Sequence, residues 1–135
     1  QSTAILIYCA EKSGKFMPKE GAARAAMLQA LMNASTDVTP IFGAYFTAAR
    51  AKEPHAPTVQ LFKDRVRAFF KVWDDLLGRR RYCAGDEVTI ADFSLYAGYA
   101  RIKGAAPDIV EGLPHVARWA EAMAARPAIQ RATKF

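Results

Sequence analysis

Two histidines and two cysteines are the side chains of this sequence best suited to metal binding or nucleophilic catalysis. His55 lies in a loop between prolines and His115 follows Pro114 at a helix start, and neither has a ligand or nucleophile at a useful spacing. Cys9 and Cys83 form no metal-binding motif, and nothing in the sequence favours secretion or a disulfide. We therefore predict surface histidines, free cysteines that pack in the interior, and no metal.

The most specific motif is a helix start at Thr89. Asp92 stands three residues later and can accept a hydrogen bond from the Thr89 amide, as in a capping box. Val88 and Phe93 flank the pair at the positions of a hydrophobic staple. Because the acidic residue is the short Asp within an apolar run, we predict a buried structural cap formed by Thr89 and Asp92.

Helical periodicity dominates the rest of the chain, and no segment alternates apolar and polar residues for long enough to predict a strand. The predicted fold class is all-α. Ser2 is expected to cap the first helix, Gly14 to end it and Gly78 to end the third, while Pro40 should bend the second. The helices are predicted at about 3–12, 20–52, 58–77, 90–103 and 114–124, with a last turn to 131.

Length and composition narrow the class of protein. The chain has 135 residues, of which 52% are hydrophobic, as expected for one domain with a single core. No apolar run approaches the roughly 18 residues of a membrane span, and no secretory leader is recognisable. We expect a soluble cytoplasmic protein without a membrane partner. The sequence starts without an initiating Met and enters a helix at once, so we also expect it to be part of a longer protein.

The net charge of +6 raises the question of an acidic partner such as nucleic acid. The one basic run, Arg79–Arg81, lies at a predicted helix end, where cations interact favourably with the last carbonyls. Nucleic acid therefore ranks last among the partners considered, and none is predicted.

Three segments resemble one protein family. Residues Gly85–Asp92 are similar to the pattern Gly-Asp-x-x-Thr-Ile-Ala-Asp of the glutathione transferase superfamily. Leu113–Pro127, with its helix-starting Pro, its Trp and its Arg-Pro break, resembles the penultimate helix of that family. Gln1–Lys12 resembles the last helix of the family's thioredoxin-like domain. The chain as a whole is similar to the C-terminal helical bundle of bacterial transferases of the beta-like or nu-like groups.

The resemblance implies a domain division and a set of binding residues. Residues 1–14 would be the last helix of an otherwise missing thioredoxin-like domain, and residues 15–135 the helical domain. Gln1 and Ser2 would bind the γ-glutamyl end of the cosubstrate glutathione, since a helix N-terminus with a hydroxyl suits a carboxylate. Thr39, Pro40 and Gly43 would face a hydrophobic electrophile. Beta-like members carry His-Lys where Thr39 and Pro40 stand, so assistance from those side chains is absent here.

The family's thiolate-stabilising Tyr, Ser or Cys would lie in the missing domain, so the resemblance implies that this chain carries no catalytic side chain. The resemblance implies a dimeric, detoxifying enzyme that conjugates glutathione or uses its thiol in peroxide or disulfide chemistry. This chain alone is expected to be inactive. It is also expected to associate through its apolar first helix. Two structural alternatives stay open: Ser2 could merely cap its helix beside a disordered Gln1, and the Thr39 hydroxyl could bond to its own helix. A functional alternative is a non-catalytic, transferase-like module for protein assembly.

Overall fold

The computed structural model of the chain describes residues 1–133, so the last two residues of the predicted domain 15–135 lie outside the described residues. Within that range the fold is helical, and its one β-type feature is an isolated bridge between Tyr82 and Gly85. The α-helices are α1 Ser2–Ser13, α2 Gly21–Met32, α3 Thr39–Ala49, α4 Ala56–Leu77, α5 Ile90–Ala105, α6 Pro114–Ala124 and α7 Pro127–Ala132. The all-α prediction is confirmed.

The two ends of α1 test two sequence predictions. Gly14 follows the helix with φ 66°, the left-handed conformation that ends helices, as predicted. The predicted Ser2 cap is wrong, because Gln1 holds the cap position and Ser2 is already the first helical residue. No side-chain hydrogen bond caps the helix, and its first turn carries no acidic side chain. Among residues 1–133, no side chain therefore caps the amides of that turn.

The long predicted helix is interrupted just before Pro40. A π-helical segment, Asn33–Val38, joins α2 to α3 there. Pro40 lacks an amide hydrogen, so the normal helical bond to the carbonyl four residues earlier cannot form. The Thr39 amide instead bonds to the carbonyl of Ala34, and the Thr39 hydroxyl donates to the same oxygen at 2.7 Å. A wide, π-helical turn thus stands where Pro40 was expected to bend the helix.

A single hydrophobic core lies between α2, α4, α5 and α6. The largest of its fully buried side chains are Trp119, Phe70, Met27, Leu31, Leu77, Leu95 and Ile102. Asp92, at the start of α5, is fully buried in this core. The capping box predicted for Thr89 and Asp92 is present. The sequence motif therefore marks the point at which α5 is anchored in the interior.

Asp92 does more than cap its helix. One carboxylate oxygen accepts hydrogen bonds from the Thr89 amide at 2.8 Å and the Thr89 hydroxyl at 3.1 Å. The other accepts from the Cys83 amide and the Trp119 indole N–H, each at 2.9 Å. Asp92 thereby ties the start of α5 to the preceding loop and to α6.

Helices α4 and α6 cap each other. Asp74 of α4 accepts hydrogen bonds from the amides of His115 and Val116 in the first turn of α6. Arg118 of α6 donates to the carbonyl of Leu77, the last residue of α4, at 2.7 Å. The basic run Arg79–Arg81 follows α4 as expected, but the cation that bonds to the last carbonyl of the helix is Arg118.

The two cysteines occupy different environments. Cys83 is buried, and burial raises the pKa of its thiol well above the usual range. Cys9 is exposed, so the prediction that it packs in the interior is wrong. Helix α1 turns Leu6, Ile7 and Ala10 toward the core and leaves Cys9 on the opposite face, a division that its uniformly apolar sequence conceals. Across residues 1–133, every helix is too short or too polar to cross a membrane.

Candidate functional site

A cleft of about 750 Å³ opens between α1, α3 and α5. Most of its wall is apolar, with three hydroxyl side chains and one cation placed among aromatic and small residues. It is lined by Ser2, Ile5, Leu6, Thr39, Phe42, Gly43, Phe46, Phe93, Ser94, Ala97, Gly98 and Arg101. An apolar concavity with a few polar groups is the usual form of a small-molecule site.

Helix α3 supplies one wall of the cleft. Thr39, Phe42, Gly43 and Phe46 follow one another at spacings of three, one and three residues, which places them on one helical face. Pro40 is a quarter turn away from Thr39, is exposed and does not line the cleft. The structure thus brings two of the three residues predicted for the electrophile side to one surface and leaves Pro40 beside it.

The Thr39 hydroxyl is already engaged. It donates to the Ala34 carbonyl, which is the local alternative weighed from the sequence. A hydroxyl oxygen that donates its proton can still accept a hydrogen bond from a ligand. Thr39 can therefore offer the cleft an acceptor but not a free donor.

Gly98 allows α5 to approach α3. A Cβ atom at this position would lie 2.7 Å from Cε2 of Phe42, too close for any side chain to fit without movement of the ring. Phe42 is itself buried and its ring packs 5.7 Å from the ring of Phe70, between centroids. Gly43, on the cleft face of α3, has open space where its Cβ would stand. One glycine closes the floor of the cleft and the other keeps its interior open.

The N-terminal end of α1 forms the remaining wall. Ser2, Ile5 and Leu6 line it, and the Thr3 hydroxyl donates to the Ser35 hydroxyl of the π-helical segment at 2.9 Å. Gln1 is exposed and is not among the lining residues. The first turn of α1, with its unoccupied amides, therefore meets the cleft at Ser2.

Several lining residues were missed in the sequence. On α5, residues 93, 94, 97, 98 and 101 all face the cleft, and no binding role was predicted for Ser94 or Arg101. Their spacing of three to four residues shows that they share a face, but only the packed structure shows that this face meets α3 rather than solvent. The guanidinium carbon of Arg101 lies 5.4 Å from the centroid of the Phe46 ring.

The histidines behave as surface residues. His55 and His115 are exposed, and Nδ1 of His55 lies 2.8 Å from the Thr58 hydroxyl. In the part of the chain that the structure describes, His, Cys, Asp and Glu side chains form no group able to hold a metal ion.

Residues 36–133 match the model of the family described as glutathione S-transferase, C-terminal domain. The chain belongs to the glutathione transferase family. It is 31% identical over 140 residues to the disulfide-bond oxidoreductase YghU of Escherichia coli, covering 97% of this chain and 48% of that protein. The matched residues include the helical bundle from the π-helical segment onward and the motifs at Gly85–Asp92 and Leu113–Pro127.

Solved transferase structures have the same fold. A glutathione transferase family member from Pseudomonas fluorescens, with two glutathione bound, superimposes with TM-score 0.90 at 30% identity, covering 97% of this chain and 61% of that one. YghU from Streptococcus pneumoniae, complexed with glutathione, gives TM-score 0.92 at 27% identity, covering 99% and 54%. Where nearly the whole of this chain aligns with a curated relative, it spans about half of that relative's length.

Proposed function

We propose that this chain is the helical part of a glutathione-dependent enzyme, in which the cleft between α1, α3 and α5 holds the reacting substrates. The observation that carries the proposal is the junction at Ser2, where the open N-terminus of α1 meets an apolar cleft. Glutathione is bound in the Pseudomonas fluorescens and Streptococcus pneumoniae structures, which supports it as the cosubstrate.

The γ-glutamyl end of glutathione would bind at Gln1 and Ser2. The unoccupied amides and partial positive charge of the first turn of α1 favour a carboxylate, and the Ser2 hydroxyl adds a donor. The Gln1 side-chain oxygen can accept from the ligand's amino group. Because no acidic side chain stands in that turn, no group of the helix itself competes with the ligand's carboxylate.

The second substrate would lie against α3 and α5. Gly43 leaves room for it, Thr39 offers an acceptor, and the phenylalanine rings provide apolar contact. Pro40 would act through the π-helical segment that positions Thr39 rather than by contact. The reaction would be conjugation to a hydrophobic electrophile, as in detoxification, or thiol chemistry with a disulfide or peroxide. The name of the Escherichia coli relative, a disulfide-bond oxidoreductase, supports the thiol route.

We infer that residues 1–14 are the last helix of a thioredoxin-like domain and that residues 15–135 form the helical domain. Tyr8, on the outer face of α1, and Ile5, at the open side of the cleft, are each 62% exposed, and such a domain would cover them. The group that stabilises the glutathione thiolate would then belong to that domain, in a cytoplasmic enzyme.

A homodimer is the proposed assembly. A second concavity, of about 520 Å³, lies between α2 and α4, and the apolar side chains of Met32 and Val72 line it. Val72 is 58% exposed and Met32 38% exposed, so pairing of this face with a second copy would bury both.

Glutathione binding to the protein that includes the thioredoxin-like domain tests the proposal. Ser2→Ala removes one charge-assisted hydrogen bond and should weaken binding by about 1.5 to 3 kcal/mol in calorimetry. Ser13→Ala, at the opposite end of the same helix, is the matched control and should leave the affinity unchanged. Equal affinities in both variants would remove Ser2 from the site. Absence of any glutathione binding would favour the assembly module instead.

The chain alone provides a second test. With the thiolate-stabilising group elsewhere, residues 1–135 should show no turnover in an aryl-halide conjugation assay, and light scattering should show association through the outer face of α1. Turnover by the chain alone would place the catalytic group within it.

A further inference from the structure

We propose that the cleft selects an aromatic small molecule that carries an anionic group, a carboxylate or a sulfonate, and that Arg101 binds this group. The inference rests on the proposed function only in taking the cleft as the site of the second substrate. It adds the charge of that substrate and names the residue that recognises it.

The charged lining of the cleft is positive. Of the twelve residues that line it in the described part of the chain, Arg101 alone is charged. The remaining lining side chains are apolar or carry a hydroxyl, so the wall offers no carboxylate to neutralise the guanidinium. Neither ion pair found within residues 1–133 involves Arg101. An anion that enters the cleft therefore meets a lining cation that no lining carboxylate neutralises.

The position of the guanidinium is fixed by an aromatic ring. Arg101 stacks on Phe46 at 5.4 Å from the ring centroid, and Phe46 itself lines the cleft. A guanidinium held over a ring face keeps its N–H donors in the plane of the group and available at its edge. Those donors form a fork that matches the two oxygens of a carboxylate or sulfonate. The ring thus holds Arg101 at the edge of the cleft in an orientation suited to bind an anion.

The rest of the cleft accounts for the aromatic part of the ligand. Phe93 and Arg101 lie on the same face of α5, and the rise of an α-helix places them about 12 Å apart along its axis. Between them the Phe42 ring packs against Gly98, and across the cleft Gly43 leaves open space at its Cβ position. A surface of this length accommodates a fused aromatic body with its charged group directed toward Arg101.

An exposed arginine can also be a solvated surface residue whose charge does nothing for a ligand. The two interpretations differ in their consequences, because a recognition residue must discriminate between ligands that differ only in charge. Arg50 offers the comparison within the same molecule. It stacks on the same Phe46 ring, at 5.1 Å, but does not line the cleft.

Two fluorescent probes with the same aromatic body test the proposal on the 135-residue chain. They are 1-anilinonaphthalene-8-sulfonate, which is anionic, and N-phenyl-1-naphthylamine, which lacks the sulfonate. Arg101→Gln should raise the Kd of the anionic probe by about five- to twentyfold, within the range of one charge-assisted hydrogen bond at a partly exposed site, and that of the neutral probe by less than about twofold. Arg50→Gln should change neither Kd. Equal weakening of both probes by Arg101→Gln, or no weakening, would overturn the proposal.

The location of the probes needs its own variant. Gly43→Leu places a side chain in the open space of the cleft and should abolish high-affinity binding of both probes. Unchanged binding of both in Gly43→Leu would overturn the assignment, because the effect of Arg101 would then arise outside the cleft.

Glutathione takes no part in the probe measurement, so the two proposals fail separately. A protein that discriminates the probes through Arg101 but never binds glutathione would retain the anion site and lose the transferase function. A protein that binds glutathione through Ser2 but does not discriminate between the probes would retain the transferase function and lose the anion site.

Discussion

Replacement of Asp92 should produce the largest loss of stability available from one polar side chain in this fold. The carboxylate is fully buried and accepts four hydrogen bonds. Its removal therefore leaves hydrogen-bond donors unsatisfied at a place that water cannot easily reach. The Thr89 hydroxyl can rotate toward another acceptor. The amides of Thr89 and Cys83 and the indole N–H of Trp119 cannot, because backbone and ring hold them in place.

The magnitude follows from counting these three donors. Each buried and unsatisfied donor costs about 1 to 3 kcal/mol, so Asp92→Ala should lose about 3 to 6 kcal/mol after partial relaxation. Domains of this size are stable by only about 5 to 15 kcal/mol in total. The capping box considered alone predicts about 1 to 3 kcal/mol, and the larger value comes from the bonds to Cys83 and Trp119, which the sequence does not reveal.

Asp92→Asn is the better quantitative probe because it retains the volume and one acceptor. With its carbonyl oxygen toward Cys83 and Trp119, its NH₂ group would face the Thr89 amide, so one side of the network is kept and the other is lost. We expect a loss of about 1.5 to 3 kcal/mol. Asp86→Asn makes the same chemical change at an exposed position and should stay within about 0.5 kcal/mol of the parent.

Urea denaturation followed by circular dichroism measures both variants. The comparison requires the same dependence on urea in each, because a changed slope would mean a changed denatured state. If Asp92→Asn unfolds at the same urea concentration as Asp86→Asn, the buried network contributes nothing and the account of α5 given above is refuted.

Three further predictions concern the packing of two glycines, the reactivity of the two thiols and the cap of α6. Gly98→Ala should destabilise the fold by about 1 to 3 kcal/mol, because its Cβ would meet a buried ring. Gly43→Ala has open space at its Cβ and should stabilise the fold by about 0.5 to 1 kcal/mol. The melting temperatures of the two variants should therefore shift in opposite directions. Cys9 should react at once with a thiol reagent and Cys83 only after unfolding, so two fast thiols in the native protein would contradict the burial of Cys83. Asp74→Ala should cost about 1 to 2 kcal/mol by uncapping α6, and an unchanged urea midpoint would count against the mutual caps.

The features predicted correctly from the sequence are those set by neighbouring residues. The capping box needs only Thr89 and Asp92, and the end of α1 needs only Gly14, so local chemistry determines both. The π-helical segment was not predicted, because Pro40 determines that a helical bond is lost but not how the chain compensates for it. The exposure of Cys9 was also mispredicted. Helix α1 is apolar on every face, and only the packed structure shows which face meets the core.

The cleft depends on contacts between residues far apart in the chain, and this explains why only part of it could be predicted. The family resemblance pointed to Ser2, Thr39 and Gly43, while the residues contributed by α5 had no motif of their own. Asp92 belongs to a local sequence motif and also makes contacts with residues far along the chain. It anchors the start of the helix whose next turns carry Phe93, Ser94, Gly98 and Arg101 into the cleft. A structural motif therefore anchors the first turn of the helix that forms one wall of the proposed substrate cleft, and Arg101 stands on that same helix beside Phe46.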